Sequence, residues 1–178
     1  MNDAQLAACA QAAGFSHWAT LDVSTIVLKQ EVRDMCATNS CGRYGKCWSC
    51  PPGCGSLEDC RQKLSGMSRG ILVQTVGDVE DSFDFEAMME VEAAHKAHFT
   101  QMYEALRASE GSVLALGTGC CTQCASCTYP DAPCRFPEKM VSSMEAFGIL
   151  VLEVCQANGL NYYYGSDQIA YSACFLLP

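Results

Sequence analysis

Ser112-Val113-Leu114-Ala115-Leu116-Gly117 is a short apolar run of strand type, and it leads straight into Thr118-Gly119-Cys120-Cys121-Thr122-Gln123-Cys124-Ala125-Ser126-Cys127. A regular element that ends in a loop of closely spaced thiols defines the chain's plan: a scaffold of strands and helices with chemistry at its ends. The same alternation extends in both directions. Upstream, residues 84–110 predict the longest helix, stopped by Gly111, and Gly70-Ile71-Leu72-Val73-Gln74-Thr75-Val76 predicts a buried strand. Before that, residues 3–13 predict a helix ended by Gly14, residues 15–22 a strand, and Ser24 the cap of a helix reaching about Asp34. Residues 36–55 are dense in Gly, Pro and Cys and predict an irregular loop, after which Ser56 caps a helix to about Met67. Downstream, Ser142 or Ser143 is expected to cap a helix to about Asn158 with Gly159 as its stop, and residues 168–177 predict the last strand. The reading is one α/β domain over residues 1–178: a roughly four-stranded sheet with flanking helices and two cysteine-rich loops, at about 36–60 and 120–137.

Composition bounds the function classes. The chain has 178 residues, 49% hydrophobic and only 17% charged, enough apolar content for a core without staples. Lys plus Arg is 11 against 20 for Asp plus Glu, a net charge of −9. That balance repels phosphates, and no basic stripe offsets it, so nucleic acid is not an expected partner. No apolar run is long enough to span a bilayer. The start, Met1-Asn2-Asp3-Ala4-Gln5, lacks the basic and apolar regions of a secretion signal, which predicts a cytoplasmic location. In that compartment 14 cysteines argue for metal or redox chemistry rather than disulfides.

The thiols are clustered. Cys36, Cys41, Cys47, Cys50, Cys54 and Cys60 lie in the first loop, and Cys120, Cys121, Cys124, Cys127 and Cys134 in the second. Cys9, Cys155 and Cys174 stand alone in apolar stretches and are expected to be core. In the second loop, Cys121-x2-Cys124-x2-Cys127 lets one short segment offer sulfur to three irons of a [4Fe–4S] cluster, with Cys134 as fourth ligand. Zinc is the alternative for such thiols. Cys120 adjoins Cys121 and is expected to pack behind that site. The first loop offers six thiols for four places, and its ligand set stays open on spacing alone. There Cys50-Pro51-Pro52 resembles the Cys-Pro ending of ferredoxin runs, and Cys60 near a helix start meets a dipole that favours thiolate. Trp48 and Tyr44 are placed to shield a cluster, and Arg135 and Lys139 to offset its charge or meet an anion. His95 and His98 follow Glu92 in the long helix, but Glu-x-x-His binds di-iron only in duplicate, so a solvated face is expected.

Cys36-Ala-Thr-Asn-Ser-Cys41-Gly-Arg-Tyr44-Gly-Lys-Cys-Trp48-Ser-Cys50-Pro-Pro, Asp81-Ser-Phe-Asp-Phe-Glu86 and Cys127-Thr-Tyr-Pro-Asp-Ala-Pro-Cys134-Arg-Phe-Pro137 together resemble the predicted metal-binding proteins of domain of unknown function 2284. The resemblance runs from about Cys36 to the C-terminus. It implies a metal cofactor of iron–sulfur type and singles out Cys36, Cys41, Cys50 and Cys60 with Cys121, Cys124, Cys127 and Cys134 as ligands of two [4Fe–4S] clusters. Cys47, Cys54 and Cys120 depart from the family's pattern. Two functions follow as expectations. One is an electron-transfer protein of an anaerobic pathway, whose acidic surface suits a redox partner with a basic docking face. The other is an enzyme whose open iron binds substrate for sulfur removal or reductive chemistry, which requires that Cys60 not be a ligand. A zinc-binding scaffold is the third and least specific.

Overall fold

Two ten-residue strands form the centre of the molecule. The computed structural model describes residues 1–178, and in it β2 (Arg69–Asp78) runs antiparallel to β5 (Gln168–Leu177) along its whole length, from Arg69↔Leu177 to Asp78↔Gln168. β1 (His17–Leu21) extends the sheet on the β2 side. β3 (Leu114–Gly117) pairs antiparallel with β5, and the two-residue β4 (Ser142–Ser143) pairs parallel with β3, giving the order β1-β2-β5-β3-β4. Five strands thus stand where about four are expected, the extra one being β4.

Both faces of the sheet are covered, which is why its strands read as continuous apolar runs rather than alternating ones. Successive side chains of a strand point to opposite faces. Ile71, Val73, Ala173 and Phe175 face a core closed by Leu6, Ala10 and Ala13 of α1 (Asp3–Ala13) and Phe99, Met102 and Leu106 of α4 (Phe85–Glu110). Leu72, Cys174, Leu176 and Leu116 face the opposite core. That core is closed by Cys60 of α3 (Leu57–Leu64), by Met144 and Phe147, and by Val154 and Cys155 of α5 (Val151–Ala157). α2 (Gln30–Ala37) lies at the edge of this layer. The helix caps follow the sequence closely. Asn2 and Ser56 each form a capping box, with Gln5 and Asp59 respectively, and Gly14 ends α1 with φ +98°.

Three expectations are corrected. The helix expected over 24–34 begins later, at Gln30. The Asp22 carboxylate accepts from the Ser24 amide and hydroxyl at 2.9 and 2.7 Å, closing a 3₁₀ turn at Val23–Thr25, and Leu28 then bridges to Ile149. The helix expected over 142–158 is broken into three pieces. Ser142 and Ser143 pair with β3, a 3₁₀ turn spans Glu145–Phe147, and Gly148 at φ +83° separates it from α5. A Cβ on Gly148 would sit 2.7 Å from Leu57 and 3.0 Å from the Lys29 carbonyl, so the turn packs only as glycine. Tyr164 donates its hydroxyl to Gln74 Oε1 at 2.7 Å and stacks on His17. His95 is not on a solvated face: it is 1% exposed, wedged between α4 and the sheet.

Of the three isolated cysteines, Cys155 and Cys174 are fully buried and Cys9 packs half-buried against the α1 core. Burial pushes the Cys174 thiol up to about 12, so it is a neutral hydrophobe. Cys174→Ala should therefore cost about 1–2 kcal/mol in urea unfolding, the loss of one buried heavy atom and the small cavity it leaves, and should leave the metal content per chain unchanged. A fall in metal content would place Cys174 among the ligands.

Candidate metal centre

The cysteine loops emerge from different parts of the chain and meet. The first leaves the C-terminal end of α2 and returns at α3; the second leaves β3 at Gly117. Three contacts hold them together. The Trp48 indole donates to the Ala132 carbonyl at 3.1 Å, and its ring meets Tyr129 edge-on at 4.9 Å between centroids. The Cys121 amide donates to the buried Ser49 hydroxyl at 3.0 Å. Gly53 completes the seam, since a Cβ there would stand 2.6 Å from the Cys47 carbonyl and 3.0 Å from the Tyr129 ring. Trp48 thus pins one loop to the other.

The second loop brings four of its thiols to one place. Cys121, Cys124, Cys127 and Cys134 line one small cavity, shut on the other sides by Cys47, Trp48, Phe136 and Met140. The Arg135 guanidinium donates to the Ser126 carbonyl at 2.8 Å and so ties the two arms of the loop.

The first loop sorts its six thiols into two groups. Arg33 of α2 organises one of them. Its guanidinium lies 3.6 Å from Cys54 Sγ and 3.9 Å from Cys60 Sγ, and donates to the Ala146 and Gly55 carbonyls at 2.7 and 2.6 Å. Cys36 Sγ lies 4.0 Å from the Glu145 carbonyl and Cys54 Sγ 3.5 Å from that of Ala146, so Cys36, Cys54 and Cys60 stand around one 3₁₀ turn and the Arg33 guanidinium that reaches it. Cys50 instead lies beside Cys47 and within the field of Cys120, with the Ser49 hydroxyl 3.5 Å from Cys47 Sγ and 3.9 Å from Cys50 Sγ. The structure thus sets Cys54 beside Cys60 at Arg33 and Cys50 beside Cys47 at Ser49, and leaves Cys41 exposed. Spacing carries no signal for this division, because it depends on where Arg33 and the second loop lie in space.

Burial raises the thiols of Cys36, Cys50, Cys54, Cys60 and Cys121 above their ordinary range. For Cys54 and Cys60 the Arg33 and Lys63 charges oppose that rise without cancelling it, and at Cys60 burial also outweighs the expected help of the helix start. Ligation must therefore displace a proton from each thiol. No three His, Cys, Asp or Glu side chains converge on a single point that one metal ion would fill. In donor type and number the thiols suit a soft metal centre, zinc or an iron–sulfur cluster alike.

Beside the second loop lies a further polar feature. The Thr75 hydroxyl stands 3.1 Å from Nδ1 of both His95 and His98. Desolvation, with smaller contributions from His98 and Lys96, lowers the His95 pKa to about 4.

Thiol groups docked on an α/β scaffold define a metal-binding class of protein. Residues 19–177 match the family model described as predicted metal-binding protein (DUF2284), and the chain belongs to that family. No curated protein and no solved structure matches it. No helix is long and apolar enough to cross a membrane.

Two outcomes test this geometry. Gly53→Ala should lower the metal retained per chain while leaving the far-ultraviolet circular dichroism of the core unchanged; full retention would show that the loops do not depend on their seam. His95 binds its proton less readily folded than unfolded, so the unfolded state takes up more protons as pH falls from 6.5 towards 4. Its contribution is present above pH 6.5 and is lost through that window, on the order of a few kcal/mol. Urea midpoints at pH 7 and pH 5 should accordingly diverge more for the wild type than for His95→Gln. Equal divergence would mean that His95 is not the group responsible.

Proposed function

We propose that this protein is an iron–sulfur protein that holds two [4Fe–4S] clusters and transfers electrons in an anaerobic redox pathway. The observation that carries the reading is the single cavity lined by Cys121, Cys124, Cys127 and Cys134, in which the triple spacing and the distant fourth cysteine meet. In the first loop Cys36, Cys41 and Cys60 would take the second cluster, and the Arg33 guanidinium shared by Cys54 and Cys60 favours Cys54 over Cys50 as the fourth ligand. A cluster held this way supplies one-electron reduction and oxidation. The chain's own residues tune and protect that chemistry. Arg33, between Cys54 and Cys60, offsets the negative charge of ligated thiolates; Trp48 and Tyr129 keep water from the seam. The surface, at −9 overall, favours a partner with a basic docking face.

The enzyme reading draws on a different observation: a cleft of about 190 Å³ opens beside Cys120 and Cys121. Space for a small molecule next to the thiols is more than a simple electron carrier needs.

Anaerobically prepared protein should contain about eight irons and eight acid-labile sulfides per chain, with an electron paramagnetic resonance signal after dithionite. Cys54→Ser should alter one cluster's signal, and Cys50→Ser should leave both intact. Stoichiometric zinc without sulfide would overturn the proposal, and loss of a cluster in Cys50→Ser but not in Cys54→Ser would restore the family's pattern at that position.

A further inference from the structure

We propose that the cleft between α4 and the chain leaving β3 binds a small organic acid, a carboxylate carried on an apolar body. The inference is independent of the cofactor reading, because every group it uses belongs to α4, β2 or the chain flanking the second loop.

Charge is the first argument. The chain has 11 basic and 20 acidic residues, yet the cleft of about 190 Å³ is lined by Lys96, Arg107 and Lys139 against a single acid, Glu104. Two of these cations are already engaged. Lys96 pairs with Glu92 at 2.5 Å, while Arg107 lies 5.5 Å from the centre of the Tyr103 ring and donates to the Glu138 carbonyl at 2.9 Å. Lys139, exposed on the opposite wall, makes no ion pair. One free cation at the rim of an otherwise acidic molecule suits a monoanion better than a phosphate dianion.

The second argument is His95 Nε2, the one buried side-chain nitrogen or oxygen in the protein without a hydrogen-bond partner. His95 is 1% exposed and lines the cleft, and its other nitrogen is occupied by Thr75. Buried polar atoms in folded proteins are almost always satisfied, so an orphan on a residue that lines a cavity points to a missing partner. The Thr75 hydroxyl has one proton to share between two Nδ1 atoms, each 3.1 Å away. When it donates to His95, that ring carries its proton on Nε2 and becomes a donor for a carboxylate oxygen, while His98 donates in return to the Thr75 oxygen. Phe99, Tyr103 and Val141 supply the apolar wall for the rest of the ligand. A ligand held there would lie beside Cys120 and Cys121, which line the same cleft.

The test is calorimetric titration of the full chain, prepared anaerobically with iron and sulfide assayed on the same sample. The probes are benzoate, acetate, inorganic phosphate and benzyl alcohol. Benzoate should bind once per chain, more tightly than acetate, phosphate or benzyl alcohol, and should shift the ¹⁵N resonance of His95 Nε2. Lys139→Glu, on the exposed rim, should weaken benzoate about tenfold, and His95→Gln should weaken it further in protein that keeps its circular dichroism. If His95→Gln does not fold, Lys139→Glu and the Nε2 resonance decide. Absence of saturable benzoate binding, equal binding of benzyl alcohol, preference for phosphate, or unchanged affinity in Lys139→Glu would each overturn the proposal. Correct iron content with no benzoate binding would sink the cleft alone; benzoate binding without iron would sink the cluster reading alone.

Discussion

The full-length pairing of β2 with β5 is the constraint on which everything else in this structure depends. Ten residues face ten residues in one antiparallel register, and the side chains of residues 71–75 and 172–177 are buried above and below. A shift of one residue would exchange the two faces, sending Leu72 and Leu176 towards α1 and α4 and Ile71 and Phe175 towards α3 and α5. Because both faces are packed with different shapes, only one register satisfies both cores. β3 then finds its place beside β5 through Leu114↔Leu176 to Leu116↔Cys174, and that pairing delivers the second cysteine loop to where the first one lies.

The loops themselves have little regular structure, so their order comes from what they lean on. Ser49, Trp48 and Gly53 attach the first loop to the second. Arg33 attaches it to the layer below, reaching the Ala146 carbonyl of the 3₁₀ turn and the Gly55 carbonyl of the loop's own return. The guanidinium serves here as a structural clamp and as the charge nearest two thiols, a double use that its planar, five-donor geometry permits and a lysine could not reproduce. The polar groups on the α4 side follow a different logic. Thr75 projects from the central sheet between two histidines of α4, so a hydrogen-bonded chain runs from half-buried His98 to buried His95 at the wall of the cleft. Both features sit on the same side of β3, the thiols in its outgoing loop and the cleft against it.

What the chain's sequence determined by itself was local: Asn2 and Ser56 as capping boxes, Gly14 and Gly111 as helix ends, the apolar runs that became β2, β3 and β5, and the triple cysteine spacing with Cys134 that converges on one cavity. Such features are settled within a few residues, by backbone dihedrals and neighbouring hydrogen bonds, so they can be read in order along the chain. Tertiary structure decided the rest. Ser142 and Ser143 have the look of a helix start, but β3 offers an open edge and they pair with it. His95 has the spacing of a solvated face, but α4 turns it onto Thr75. The six thiols of the first loop lie within 25 residues, yet Cys54 falls to Arg33 while Cys50 stays beside Cys47, because Arg33 reaches in from the preceding helix. Spacing specifies a ligand set only where a single segment wraps around it. Where the walls of a site come from an arginine on one helix and a thiol on another loop, the set is fixed by packing, and packing becomes visible only in the folded chain.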